Sequence, residues 1–131
     1  MAEIANAAFF PAGTITIGTD GYKAAITSAQ LVPNTPTEVI RDIGGGIQVA
    51  AGNPEWTLQL DFAQDWKTVS SLSQYLATNQ GTKKTIVFTP QATGKGFTIT
   101  ALIVAGTAGG AANAAAKASV TLPCDGQPVI A

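Results

Sequence analysis

The residue types that usually do chemistry are scarce in this chain. It has no histidine, which removes the commonest general base, the commonest metal ligand and every Ser-His or Cys-His nucleophile pair. Its single cysteine, Cys124, lies in "LPCDGQP", a turn bounded by Pro123 and Pro128 with no cationic sequence neighbour to lower the thiol pKa. One cysteine also excludes an intramolecular disulfide and a CxxC metal or redox pair. The acids are scattered singly. Asp61 and Asp65 stand closest to one another in a plausible site, one in a strand and the other at a helix start, which is a poor carboxylate pair for acid–base or metal chemistry. Three consecutive glycines, Gly44 to Gly46, invite a phosphate-cradle reading, because bare backbone N–H groups can close on an anion. Register tests reject it. The sole Gly-Lys pair, Gly94–Lys95, has Thr89 where a P-loop needs glycine and Gly96 where it needs Ser or Thr. The dinucleotide pattern G-x-G-x-x-G fits Gly44 and Gly46, fails at Val49, and is not followed by a helix. No cofactor and no metal is expected, and an enzyme is disfavoured. What remains at Gly44–Gly46 is a hinge between two β segments.

The elements around these residues are mainly β. Glu55 to Phe62, "EWTLQLDF", alternates strictly, with Trp56, Leu58, Leu60 and Phe62 on one face and Glu55, Thr57, Gln59 and Asp61 on the other. "GTITIG" and "KASVTLP" alternate in the same way. "KKTIVFTP" and "GFTITALIVAG" are apolar on both faces near their centres, as in a central strand or one covered on both sides, and "TPQATGKG" between them is a hairpin connection. Tyr22 to Val32 and Thr35 to Ile43 read as two further strands interrupted by Pro33, Asn34 and Pro36. One stretch breaks the rhythm. Over residues 66–79, Val69, Leu72 and Leu76 recur at helical spacing, with Asp65 placed to cap the start and Gly81 to stop the end, so one helix with these three residues in the core is expected. The Ala/Gly segment over about 105–117 reads as a flexible connection, with a short helix over Ala111 to Lys117 as the competing reading.

Length fits a single domain over residues 1–131. Charged residues make up 11% of the chain, against about 25% in an ordinary soluble domain. A free monomer keeps itself soluble with charge, so this scarcity fits a chain whose surface is covered by other subunits. Net charge is −1, and Lys83–Lys84, the nearest thing to a basic cluster, reads as a solvated strand edge. High-affinity nucleic-acid binding needs a basic patch, so nucleic acid could pass by this protein but not be gripped by it. The N-terminal stretch lacks the basic and apolar regions of a secretory signal, and no apolar run has the length of a membrane span. The default is therefore a soluble protein made in the cytoplasm, and a virion component assembled there would look the same.

The order of elements, carried by "FFPAGTITIG", "TEVIRDIGGGIQVAAGNPEWTLQLDFAQDW" and "SVTLPCDGQPVI", resembles the major tail tube proteins of long-tailed bacteriophages and their wider superfamily of sheathed-tail, pyocin and type VI secretion rings. The likeness is one of pattern over nearly the whole chain. It implies a β-sandwich or split barrel of antiparallel strands with one flanking helix. It further implies a structural virion protein that self-assembles into hexameric rings stacked as a tail tube, a conduit first for the tape-measure protein and then for DNA. Its partners would be itself, the tape-measure protein, the tail-tip and tail-terminator proteins, and DNA in transit without sequence-specific binding, with no membrane involved. Its place would be the virion tail, assembled in the host cytoplasm. On this resemblance the loop over about 33–54 stacks rings through Val39, Ile40, Ile43, Gly44, Gly45, Gly46 and Ile47. The N-terminal arm over about 1–12, with Ile4, Phe9 and Phe10, docks on a neighbour; the other reading is that its phenylalanines cap the protein's own core. Lumen-facing candidates are Lys23, Glu38 and Asp42. A monomeric β-sandwich binding module, of adhesin or carbohydrate-binding type, is the alternative and would want exposed aromatics along one face.

Overall fold

The computed structural model describes residues 3, 5, 13–18, 20–22, 26–91 and 94–130. The chain runs β1 (Thr14–Ile17), β2 (Asp20–Gly21), β3 (Ile26–Asn34), β4 (Thr37–Arg41), β5 (Ile47–Ala51), β6 (Glu55–Ala63), α1 (Leu72–Thr78), β7 (Lys83–Thr89), β8 (Phe97–Leu102), β9 (Lys117–Pro123) and β10 (Val129–Ile130). All pairings are antiparallel. One sheet has the order β10-β8-β7-β1-β2 and the other β3-β6-β9, while β4 and β5 form a ribbon of their own.

The alternating sequences fold as their period requires. Leu58, Leu60 and Phe62 of β6 and Ala118, Val120 and Leu122 of β9 face inward from the three-stranded sheet. They meet Ile15, Ile17, Ile86, Phe88, Ile99 and Ala101 from the five-stranded one. The outward partners along the same strands, such as Gln59, Asp61, Ser119 and Thr121, are exposed. The sheets are stitched along one side by the bridge Ala101↔Cys124 and by the Asp125 amide, which donates to the Thr100 carbonyl. No closed barrel forms among the described residues. This is the expected mainly β, antiparallel sandwich with one flanking helix.

Several details depart from expectation. The helix covers only Leu72–Thr78. Asp65 does cap backbone amides, but those of Lys67 and Thr68, at 2.9 and 3.0 Å. That turn and the left-handed Ser70 (φ 64°) hold residues 66–71 out of the helix, and Ser71 becomes its N-cap. Leu72 and Leu76 are buried as expected, whereas Val69 falls on the turn and is 84% exposed. The strand β7 is buried on one face only, with Val87 left 41% exposed. Lys83 opens this interior strand rather than marking a sheet edge, and pairs with Asp125 at 3.2 Å. The Ala/Gly segment carries no helix before β9; Asn113, with φ 60°, interrupts the alanine run. Gln64 ties this segment down, donating through Nε2 to the carbonyls of Gly109 and Lys117 and accepting from the Gly109 amide.

Candidate assembly surface

Among the described residues no group of three or more Cys, Asp or Glu side chains converges on a point that could hold a metal. Asp61 accepts from the Ser119 hydroxyl and Asp65 from the two amides of its own turn, so each carboxylate is engaged separately. Hydrogen bonds from the Thr68 side chain and from the Thr68 and Lys67 amides hold the Asp65 carboxyl below its usual range, as suits a capping group. Burial pushes the Cys124 thiol up from its ordinary value, the opposite of what a nucleophile needs.

The unusual feature is the span 33–54. It is a β-hairpin arm rather than an irregular loop, with Val39 opposite Val49 and Arg41 opposite Ile47. Its tip is the glycine run. The Asp42 amide donates to the Gly46 carbonyl at 3.0 Å, and the Gly45 amide donates to the Asp42 carbonyl at 3.2 Å. Gly45 has φ +90°, a conformation open to glycine at little cost. This is a three-residue hairpin loop, a turn followed by a left-handed bulge residue. The Asp42 carboxylate closes it by accepting from the Gly46 amide at 2.7 Å. The amides at the tip are therefore partly spent on the turn itself, and the triple glycine is a turn former.

Every residue of β4 and β5 is exposed. Side chains alternate across the ribbon, so Val39, Val49 and Ile47 share one face with Thr37, Arg41 and Ala51, while Glu38, Ile40, Gln48 and Ala50 share the other. Val39, Ile40, Ile47 and Val49 are 51%, 49%, 59% and 71% exposed, and Ile43 at the tip is fully so. The arm thus gathers the expected stacking residues Val39, Ile40, Ile43, Gly44, Gly45, Gly46 and Ile47 on one projection, together with Glu38 and Asp42. The sequence reading missed Val49, whose alternation with Ile47 was the available signal. Ile4, Phe9, Phe10 and Lys23 lie outside the described residues.

At the base of the arm an apolar groove of about 450 Å³ opens between the two sheets. Leu31, Pro33, Trp56, Phe88, Pro90 and Phe97 are among the residues lining it. The Phe88 and Phe97 rings stack at 6.5 Å with planes 29° apart. The Trp56 indole N–H is shielded from solvent and has no hydrogen-bond partner among the described residues.

No protein-family model matches this sequence, and no curated protein matches it. Solved structures do match. One is the sheath/tube terminator of PVC, an extracellular contractile injection system, determined by cryo-electron microscopy in the extended state. It shares 17% sequence identity with this chain at a TM-score of 0.68, and the superposition covers 99% of both chains. At that identity the likeness establishes the fold alone: the two chains share one architecture from end to end.

Proposed function

We propose that this chain is a structural subunit of a phage-tail-like particle, one that assembles with further copies of itself into rings and uses the β4–β5 arm to bind the next ring. The observation that carries this reading is the arm: a ribbon with aliphatic residues on both faces and no cover from the described residues. An isolated two-stranded ribbon is marginally stable in water, and clustered exposed apolar side chains mark interaction surfaces. Low charge over the whole chain points the same way. The fold shared with the PVC terminator supplies a context in which such a subunit works. In this reading the particle tail is where the protein resides, the tape-measure protein and DNA pass through the ring without being held, and the chain performs no catalysis.

The terminator likeness favours a second, narrower role: a ring that caps the end of a tube and meets both tube and sheath components. One experiment tests the assembly reading and separates the two roles. The purified chain is examined by sedimentation and negative-stain microscopy, alone and with tail tubes from the same source. Open-ended tubes of the chain alone identify a tube subunit. Single rings that sit at tube ends and stop their growth identify a terminator. A monomer at every concentration that neither adds to tubes nor caps them refutes the assembly reading.

A further inference from the structure

Two of the three glycines at the arm's tip are demanded by the turn itself. Gly45 has φ +90°, and a Cβ on Gly46 would collide with the Asp42 carboxylate that closes the loop. Gly44 is different. Its φ is not in the left-handed region, and a Cβ there would meet nothing nearer than an Asp42 carboxylate oxygen at 3.4 Å, an ordinary contact. No described residue therefore excludes a side chain at position 44. What its glycine gives the arm is shape. Ile43 is fully exposed and is followed by three residues without side chains, so the tip is a slender projection with one aliphatic knob.

The groove at the base of the arm has the complementary form. Leu31, Trp56, Phe88 and Phe97 make its walls apolar, and none of its lining residues is charged. The tip of the same chain does not fill it. Residues 43–46 are absent from its lining, and every residue of β4 and β5 is exposed. Five paired rungs separate the tip from the arm's base, roughly 17 Å at about 3.4 Å per residue. An apolar projection and an apolar recess at different places on one chain make head-to-tail contacts between copies.

We propose that this groove receives the Ile43 tip of a second copy of the chain. The inference rests on the assembly reading above and names the surface that the arm engages. Ile43 packs on the groove's aromatic and aliphatic walls, and Gly44 keeps the tip thin enough to enter. The contact is directional, because each copy offers its tip to one neighbour and its groove to another.

Trp56 lies in the groove's wall and reports on its occupancy. In protein carrying Trp66→Phe it is the sole tryptophan. Sedimentation velocity and Trp56 fluorescence are measured over the same concentration series. As copies associate, acrylamide quenching of Trp56 should fall severalfold and its emission should move to shorter wavelength. Gly44→Leu should leave the far-UV circular dichroism unchanged yet weaken association at least tenfold. Association that leaves Trp56 quenching unchanged, or Gly44→Leu associating as the parent does, overturns the groove as the seat while the assembly reading stands. A monomer at every concentration overturns both. Should Trp66→Phe itself impair association, a cross-link decides: Ile43→Cys and Pro90→Cys are carried by separate proteins, both with Cys124→Ser, and mixed. Disulfide dimers confined to the mixture support the seat. Their absence, or their equal occurrence in either protein alone, overturns it.

Discussion

Val49→Asp should separate assembly from folding. Val49 stands at the centre of the arm's aliphatic face, opposite Val39 and beside Ile47. Burying one such side chain completely stabilises by roughly 1.5–3 kcal/mol. The exposures of Val39, Ile47 and Val49, 51%, 59% and 71%, amount to nearly two whole side chains, so covering this face is worth roughly 3–5 kcal/mol. Aspartate at position 49 removes Val49's share and sets an unpaired carboxylate in the contact. A combined loss of at least about 3 kcal/mol follows, which is over a hundredfold in the affinity of one contact. Within the isolated subunit the same substitution lies in solvent, away from the core. Its only cost there is aspartate's poor fit to a strand, about 1 kcal/mol at most. Sedimentation velocity across a concentration series measures assembly, and calorimetry of the dissociated subunit measures folding. The expected pattern is abolished or strongly right-shifted assembly with a melting temperature within about 5 °C of the parent. Assembly at unchanged affinity would refute the arm as the contact surface. A drop in melting temperature well beyond that range would refute the claim that the arm is energetically separate from the sandwich.

Other substitutions test the fold that carries the arm. Leu76→Ala should cost about 2–5 kcal/mol in chemical denaturation, because Leu76 is fully buried between α1 and the sandwich and the vacated space cannot collapse completely. Gln64→Ala removes the side chain that bonds Gly109 and Lys117. It should cost about 1–3 kcal/mol and raise amide hydrogen exchange locally at Gly109. Tyr22 is buried, and burial first, then the charge of Asp20, raises its pKa from 10.0 to about 12. The unfolded chain therefore loses this proton before the folded one does. The contribution is fully present below pH 10 and disappears as pH rises toward about 12, so denaturation midpoints should fall through that window. Tyr22→Phe should remove this part of the alkaline loss.

The sandwich was legible because its strands obey period two so plainly. Each inward residue of "EWTLQLDF" and "KASVTLP" is buried or half-buried where alternation puts it. The helix was legible from Leu72 and Leu76, but its start was not. Asp65 has the right chemistry for a cap and spends it on a preceding turn, a choice set by Ser70's left-handed backbone. The β segment after the glycines had no bounds or partner in the sequence, because "IQVAA" carries only two large apolar residues and its pairing depends on where the glycine turn closes. The clamp from Gln64 to Gly109 was out of reach altogether, since it joins residues 45 positions apart through one side chain.

The arm's geometry also bears on how a chain so poor in charge would avoid indiscriminate contact before the proposed assembly. Its aliphatic face lies on a ribbon whose backbone amides are paired strand to strand, and a closed turn tethered by Asp42 caps its tip. The other face mixes Glu38 and Gln48 with Ile40 and Ala50, so its apolar surface is broken by polar side chains. Productive contact requires the Val39–Val49 face to meet a surface shaped for it. Indiscriminate edge pairing of the kind that drives aggregation is limited, because only the two outer edges of a short, five-residue ribbon remain unpaired. A preformed hairpin also has less conformational entropy to lose on docking than a loop ordering at the moment of contact. In the proposed assembly, the triple glycine would serve by fixing the turn. Lengthening that turn with additional glycines should weaken assembly even though no contacting side chain changes, because a looser tip returns to the free subunit the entropy that the closed hairpin has already given up.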